Sequence, residues 1–174
     1  MEITADADGR TGPPGARLRE TGLPEIPGDP LALERQVCFA LSVATRSVLS
    51  VYRPILEPMG LTHPQYLVML ALWGQSPLAV KELIDMLQLD GPTLSPMLKR
   101  LETLGLITRT RNATDERSTD VKLTDSGTAL RRRALTIPSA VVARLGVGMD
   151  ELQHLHQVLT RINSAALAAG ALQS

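Results

Sequence analysis

The chain has 174 residues and carries 18 Lys and Arg against 18 Asp and Glu, for a formal net charge of zero. That balance excludes a wholly basic nucleic-acid coat, so positive charge for any such partner must be local. Hydrophobic residues make up 44% of the chain and aromatics only 2%, which implies a core of Leu, Val, Ile, Ala and Met, the residues of packed helices.

The length suits one domain with a tail or two small domains, and no fixed-period repeat is present. The single cysteine, Cys38, excludes an intrachain disulfide framework, and no Cys/His cluster has the spacing of a structural zinc site. The N-terminus lacks the apolar h-region of a secretory signal, and no apolar run reaches membrane-spanning length. The expectation is a soluble cytoplasmic protein with no membrane partner and no cofactor.

Residues 1–29 are rich in Gly, Pro, Asp and Arg and bury too little apolar surface to offset their ordering entropy. They are expected to form a disordered tail, with Arg10, Arg17 and Arg19 solvated. Residues 30–60 are expected to form a first dimerisation helix. Leu33, Val37, Ala40, Leu41, Ala44, Val48, Val51 and Tyr52 keep helical spacing, and Pro54 and Pro58 should end it.

Residues 61–123 are expected to form a winged helix-turn-helix domain. Thr62-His63-Pro64 opens a helix with Thr62 as cap and Pro64 in the first turn. Tyr66, Leu67, Met69, Leu70, Leu72 and Trp73 make that helix apolar on most sides, which predicts a position deep in the core. Val80, Leu83, Ile84 and Leu87 define the next helix, and Asp90-Gly91-Pro92 breaks it.

Leu94, Met97, Leu98, Leu101 and Leu104 restart the period, leaving Thr93, Ser95, Lys99, Arg100 and Thr103 on another surface. Thr93 is the preferred cap for this helix, because Pro96 then falls in the first turn and deletes no hydrogen bond. Gly105 is placed for a left-handed stop. Leu106 to Arg111 and Asp120 to Leu123 read as a hairpin with a polar tip from Asn112 to Thr119.

Two helices, a short turn and a hairpin point to double-stranded DNA. Short polar groups reach bases near the start of a reading helix and longer cations act beyond them. Thr93 and Ser95 fit the first role, Lys99 and Arg100 the second. In the wing, Arg117 at the tip suits a narrow minor groove with Asp115 orienting it, and Arg109 and Arg111 suit phosphate neutralisation.

Residues 124–174 are expected to supply C-terminal dimerisation helices. Thr124 begins a helix striped by Leu130, Ala134, Ile137, Val141 and Leu145, which Pro138 should kink. Arg131-Arg132-Arg133 is expected on its solvated face. Leu152, Leu155, Leu159, Ile162 and Ala166 form a heptad-like seam. The terminal helices carry more apolar stripe than a small winged domain can cover, so a homodimer and a pseudo-palindromic operator are expected. His154 and His156 point to different faces and are expected to be ordinary surface residues.

The order of elements, with Asp115-Glu116-Arg117 and Leu123-Thr124-x-x-Gly127, resembles the MarR family of dimeric bacterial repressors. Val37 to Leu41, Tyr52-Arg53-Pro54-Ile55-Leu56, Pro64-Gln65-Tyr66-Leu67, Val80-Lys81-Glu82-Leu83 and Thr93 to Leu101 are similar to the OhrR branch, which senses organic hydroperoxides. The resemblance runs from Leu31 to about Leu167. It implies a mainly α fold, a winged helix-turn-helix between N- and C-terminal dimerisation helices. It further implies that Cys38 is oxidised by the peroxide to a sulfenic acid, upon which the operator is released.

In that branch, tyrosines of the partner subunit hydrogen-bond the thiolate, and Tyr52 matches one of them. On a straight helix the spacing from Cys38 to Tyr52 is about 21 Å, so only the partner's Tyr52 could reach the thiol. The second such tyrosine is replaced here by His63, whose imidazole can substitute in kind. Ser42 stands where a further tyrosine is common, and Gly91-Pro92 where Ser-Gly is usual. With no second cysteine, an oxidised Cys38 must be resolved by a low-molecular-weight thiol as a mixed disulfide, by a backbone amide or by over-oxidation. Two other functions fit the residues. One is a MarR-type regulator answering a small aromatic or anionic ligand without cysteine chemistry. The other is a thiol peroxidase with Cys38 as nucleophile.

Overall fold

The computed structural model describes residues 29–112 and 118–170. The expected tail, apart from Asp29, lies outside the described residues, as do Asp115 and Arg117. The chain divides into two units, 1–44 and 45–174.

The described part of the first unit begins with a 3-10 turn, Leu33–Arg35, and enters helix α1, whose bounds are Val37–Leu56. The Asp29 carboxylate accepts the Leu31 amide at 2.9 Å, and the Gln36 side chain donates to the Pro30 carbonyl at 2.7 Å. The expected helix start at Pro30 is therefore displaced: local side-chain bonds hold a turn and a 3-10 turn at the entrance, and α1 begins at Val37. Helix α1 ends between Pro54 and Pro58, as expected: Pro54 sits in its last turn, and the following 3-10 turn, Glu57–Met59, closes on Gly60 at φ 70°. A left-handed stop of that kind suits Gly.

In the second unit, α2 (His63–Gly74) starts where expected, with the Gln65 side chain accepting the Thr62 amide at 2.9 Å. Tyr66, Val68, Met69 and Leu72 are buried, but Leu67 and Leu70 are exposed, so α2 is not enclosed on all sides as its composition predicts. A two-residue strand β1 (Leu78–Ala79), absent from the sequence reading, leads into α3 (Val80–Leu87). Gln88 turns the chain in the left-handed region at φ 52°.

Helix α4 is Gly91–Thr103, and its cap is Asp90, not Thr93. The Asp90 carboxylate accepts the Thr93 amide at 2.7 Å. An anion at a helix N-terminus also meets the positive end of the helix dipole, an advantage a threonine hydroxyl lacks. Pro92 falls in the first turn at no cost, and Pro96 lies inside the helix, without an N–H for the carbonyl of Pro92.

Gly105 stops the chain at φ 68°. Strands β2 (Ile107–Arg111) and β3 (Thr119–Leu123) then form an antiparallel hairpin, and β1 joins it in the order β1-β3-β2. Leu78 pairs with Val121, and Arg109 pairs with Val121 on the other side.

The Thr124 hydroxyl caps α5 (Asp125–Ala134) by accepting the Gly127 amide at 3.0 Å. Pro138 does not kink a continuous helix here. The chain stops at Ala134 and restarts as α6 (Ile137–Leu145), with Pro138 in the first turn where its missing N–H is harmless. The last helix, α7, is Met149–Ala168.

The core joins Leu56, Leu61, α2, α3, α4, the hairpin roots and the inner faces of α5 and α6 through Leu72, Leu83, Leu94, Leu101, Val121 and Ile137. On α7, Leu155 and Ile162 are about half exposed, at 50% and 42%. Among the described residues no helix is long and apolar enough to cross a membrane, and no group of His, Cys, Asp and Glu is placed to hold a metal ion.

Candidate functional site

Helix α4 presents one sealed and one open face. Leu94, Leu98 and Leu101 are at most 1% exposed, whereas Thr93, Ser95, Lys99 and Arg100 are all exposed. The 3.6-residue period forces this division: each apolar residue that enters the core turns its neighbours outward. The four positions expected to meet DNA are therefore brought together on one helix surface. The α3–α4 turn fixes where that surface begins, because the Asp90–Thr93 bond sets the first turn. The same bond holds the Asp90 carboxyl below the usual carboxylate range.

The hairpin cations differ from one another. Arg111 is exposed at the outer end of β2. Arg109 donates Nε and Nη2 to a single oxygen of Glu102, at 3.0 and 2.6 Å, tying β2 to the last turn of α4. This bond lowers the Glu102 pKa and offsets part of the Arg109 charge. The Glu102 partnership was missed in the sequence, where the only signal is one acid near the end of an otherwise basic helix face. At the wing neck the Asn112 amide donates to both oxygens of Asp120, at 3.0 and 2.9 Å, and the Asn112 amide N–H meets the Ser118 carbonyl. Asp115 and Arg117, expected at the wing tip, lie outside the described residues.

In the first unit, Cys38 is exposed in the first turn of α1, and its carbonyl accepts the Ser42 hydroxyl at 2.8 Å. Val37, Phe39, Leu41 and Val43 are also exposed.

In the second unit, Tyr52 and His63 come together. Their ring centroids are 4.8 Å apart at an interplanar angle of 71°, an edge-to-face arrangement favoured by the ring quadrupoles. Burial pushes the His63 imidazole below the ordinary histidine value, so near neutral pH it is an uncharged hydrogen-bonding group. Tyr66 follows at 6.2 Å from Tyr52, and Trp73 at 6.3 Å from Tyr66. Burial, and then the neighbouring Tyr52 phenol, raise the Tyr66 pKa. Tyr66 and Trp73 read from sequence only as core residues; their alignment behind Tyr52 and His63 depends on how α2 packs.

The transcriptional regulator family SarA/Rot matches residues 50–132. The organic hydroperoxide resistance transcriptional regulator of Bacillus subtilis is 40% identical over 131 residues, which are 75% of this chain and 89% of that protein. The solved structure of reduced AbfR bound to DNA, a protein of Staphylococcus epidermidis, is similar with a TM-score of 0.65 and 30% identity, over 78% of this chain and 94% of that one. The transcriptional repressor CouR, solved on a 23-mer DNA duplex, superposes with a TM-score of 0.70 and 30% identity, over 75% of this chain and 94% of its own.

Proposed function

Because this chain belongs to the MarR family of transcriptional regulators and is closely similar to its organic-hydroperoxide branch, we propose that it binds a pseudo-palindromic DNA operator as a homodimer and releases it when Cys38 is oxidised. The observation that carries DNA binding is the exposed row Thr93, Ser95, Lys99 and Arg100 on a helix whose other face is sealed. Short hydroxyls near the α4 N-terminus meet base edges and the two cations meet phosphates, with Arg109, Arg111 and the wing-tip pair Asp115 and Arg117 completing the contact. Apolar residues left open on α7 support pairing with a second copy.

The redox step is a two-electron displacement. The Cys38 thiolate attacks the terminal oxygen of an organic hydroperoxide, the O–O bond breaks, and the alkoxide takes a proton to leave as an alcohol. Sulfur becomes a sulfenic acid. A low-molecular-weight thiol can then condense with it, forming a mixed disulfide and releasing water. Tyr52 and His63 of the partner subunit are assigned to hold the thiolate by hydrogen bonds. The exposure of Cys38 and the Tyr52–His63 contact support this assignment. Oxidation removes the acceptor charge those donors serve.

The test compares wild type with Cys38→Ser on a DNA duplex selected from a random pool by the reduced protein. Cumene hydroperoxide should release the wild type and spare the variant; equal release by both would end the redox assignment.

A second reading, regulation by a small aromatic anion, is favoured by one feature. Tyr66, Leu70, Trp73, Leu135 and Arg131 line a cleft of about 280 Å³ with aromatic walls and one cation. DNA release by benzoate in Cys38→Ser would support it.

A further inference from the structure

Trp73 is the chain's single tryptophan, and it touches two different systems. On one side the Tyr66 ring meets it at 6.3 Å, behind the Tyr52–His63 pair. On the other, its Nε1–H donates to the Gly127 carbonyl at 2.9 Å, across 54 residues of sequence. Space filling alone needs no such bond; a phenyl ring would serve. The indole N–H is directional and ties the ring to one backbone atom.

Gly127 is itself held without slack. A Cβ built on it would lie 2.0 Å from the Leu106 carbonyl oxygen, so the α5 backbone rests directly on the root of the hairpin. The same Leu106 carbonyl accepts the Thr124 amide at 3.1 Å, and the Thr124 hydroxyl donates to the Gly105 carbonyl at 2.6 Å. Leu106 immediately precedes β2. A close-packed joint of this kind passes a shift on rather than absorbing it.

We propose that Trp73 is a positioning residue that ties the packing of Tyr52, His63 and Tyr66 to the position of the wing, with the indole–Gly127 hydrogen bond as the joint. This deepens the thiol-switch function and rests on it for its purpose: a displacement of Tyr52 or His63 when Cys38 is oxidised would reach the wing by this route. The tie itself exists without peroxide or DNA. Coupling, rather than adjacency, is what must be measured.

The experiment is amide hydrogen exchange on the full chain, without DNA or peroxide, in wild type, Trp73→Phe, His63→Ala and the double variant. Trp73→Phe keeps a ring and deletes the N–H, and should speed exchange in β2 and β3 about fivefold, leaving α3 unchanged. His63→Ala alone should speed hairpin exchange as well, and this increment should vanish in the Trp73→Phe background. Equal His63→Ala increments in both backgrounds would overturn the proposal, as would a hairpin indifferent to His63→Ala. Should Trp73→Phe not fold, the emission of Trp73 in His63→Ala decides: a shifted spectrum supports the tie and an unchanged one overturns it. Failure of the thiol switch would show separately, as equal DNA release by wild type and Cys38→Ser.

Discussion

Arg109 and Glu102 are joined by two hydrogen bonds to one carboxylate oxygen, at 3.0 and 2.6 Å, so a wing cation is paired with an acid on α4. Lysine and arginine on a DNA-facing surface differ in what remains of their charge for phosphate. Lys99 is exposed and no ion pair holds it among the described residues, while Arg109 shares its charge with Glu102.

Glu102→Gln is therefore expected to tighten DNA binding and steepen its salt dependence, the slope of log K against log salt changing by about one. Lys99→Ala and Arg117→Ala should each weaken binding and flatten the slope by about one. Fluorescence anisotropy over a salt series checks all three. An unchanged slope in Glu102→Gln would mean that Arg109 does not face the duplex.

Gly127→Ala should lower stability by about 3 kcal/mol, because the clash is with the Leu106 backbone carbonyl at 2.0 Å and no flexible side chain can yield. For a domain of this size that corresponds to a fall of about 10 °C in the unfolding midpoint. Differential scanning calorimetry reads it, and a change under 2 °C would show that α5 can move off the hairpin root.

The pH dependence of stability should carry a His63 component. Burial lowers its folded pKa below the unfolded value of 6.5, so below that pH the unfolded chain binds the extra proton and stability falls with falling pH. Above pH 6.5 both states are neutral and the component is flat. The loss accrues as pH falls from 6.5 through the folded pKa. Urea midpoints at pH 7.5 and 5.5 should differ less in His63→Gln than in wild type; equal differences would refute the assignment.

The open apolar face of α7 leads to a test of assembly. Ile162→Glu, at a position 42% exposed in the single chain, should convert a dimer to a monomer while leaving helix content intact, because the residue contributes little to the protomer core. Sedimentation velocity with circular dichroism checks both. A dimer that survives both Ile162→Glu and Leu155→Glu would place the contact elsewhere.

The helix, turn and hairpin order was legible from residues because its signals are local. Apolar spacing, the Thr62 and Thr124 caps and Gly105 each act within one or two turns of chain, and the structure keeps all of them. The errors arose where two local signals competed. Asp90 and Thr93 both suit a cap, and the carboxylate at the helix N-terminus prevailed. Pro138 predicts a kink in one continuous helix, but a proline also suits a first turn, and the chain restarts there.

By itself the sequence determined the winged fold, the exposed polar face of α4 and the family resemblance around Cys38 and Tyr52. Only the tertiary structure decided that β1 pairs with β3, that Arg109 answers to Glu102, that His63 meets Tyr52 edge to face, and that Trp73 bonds to Gly127. The physical reason is the same in each case. A polar or aromatic group has many acceptable partners, and which one it meets depends on how separate elements pack, information that no stretch of sequence carries alone.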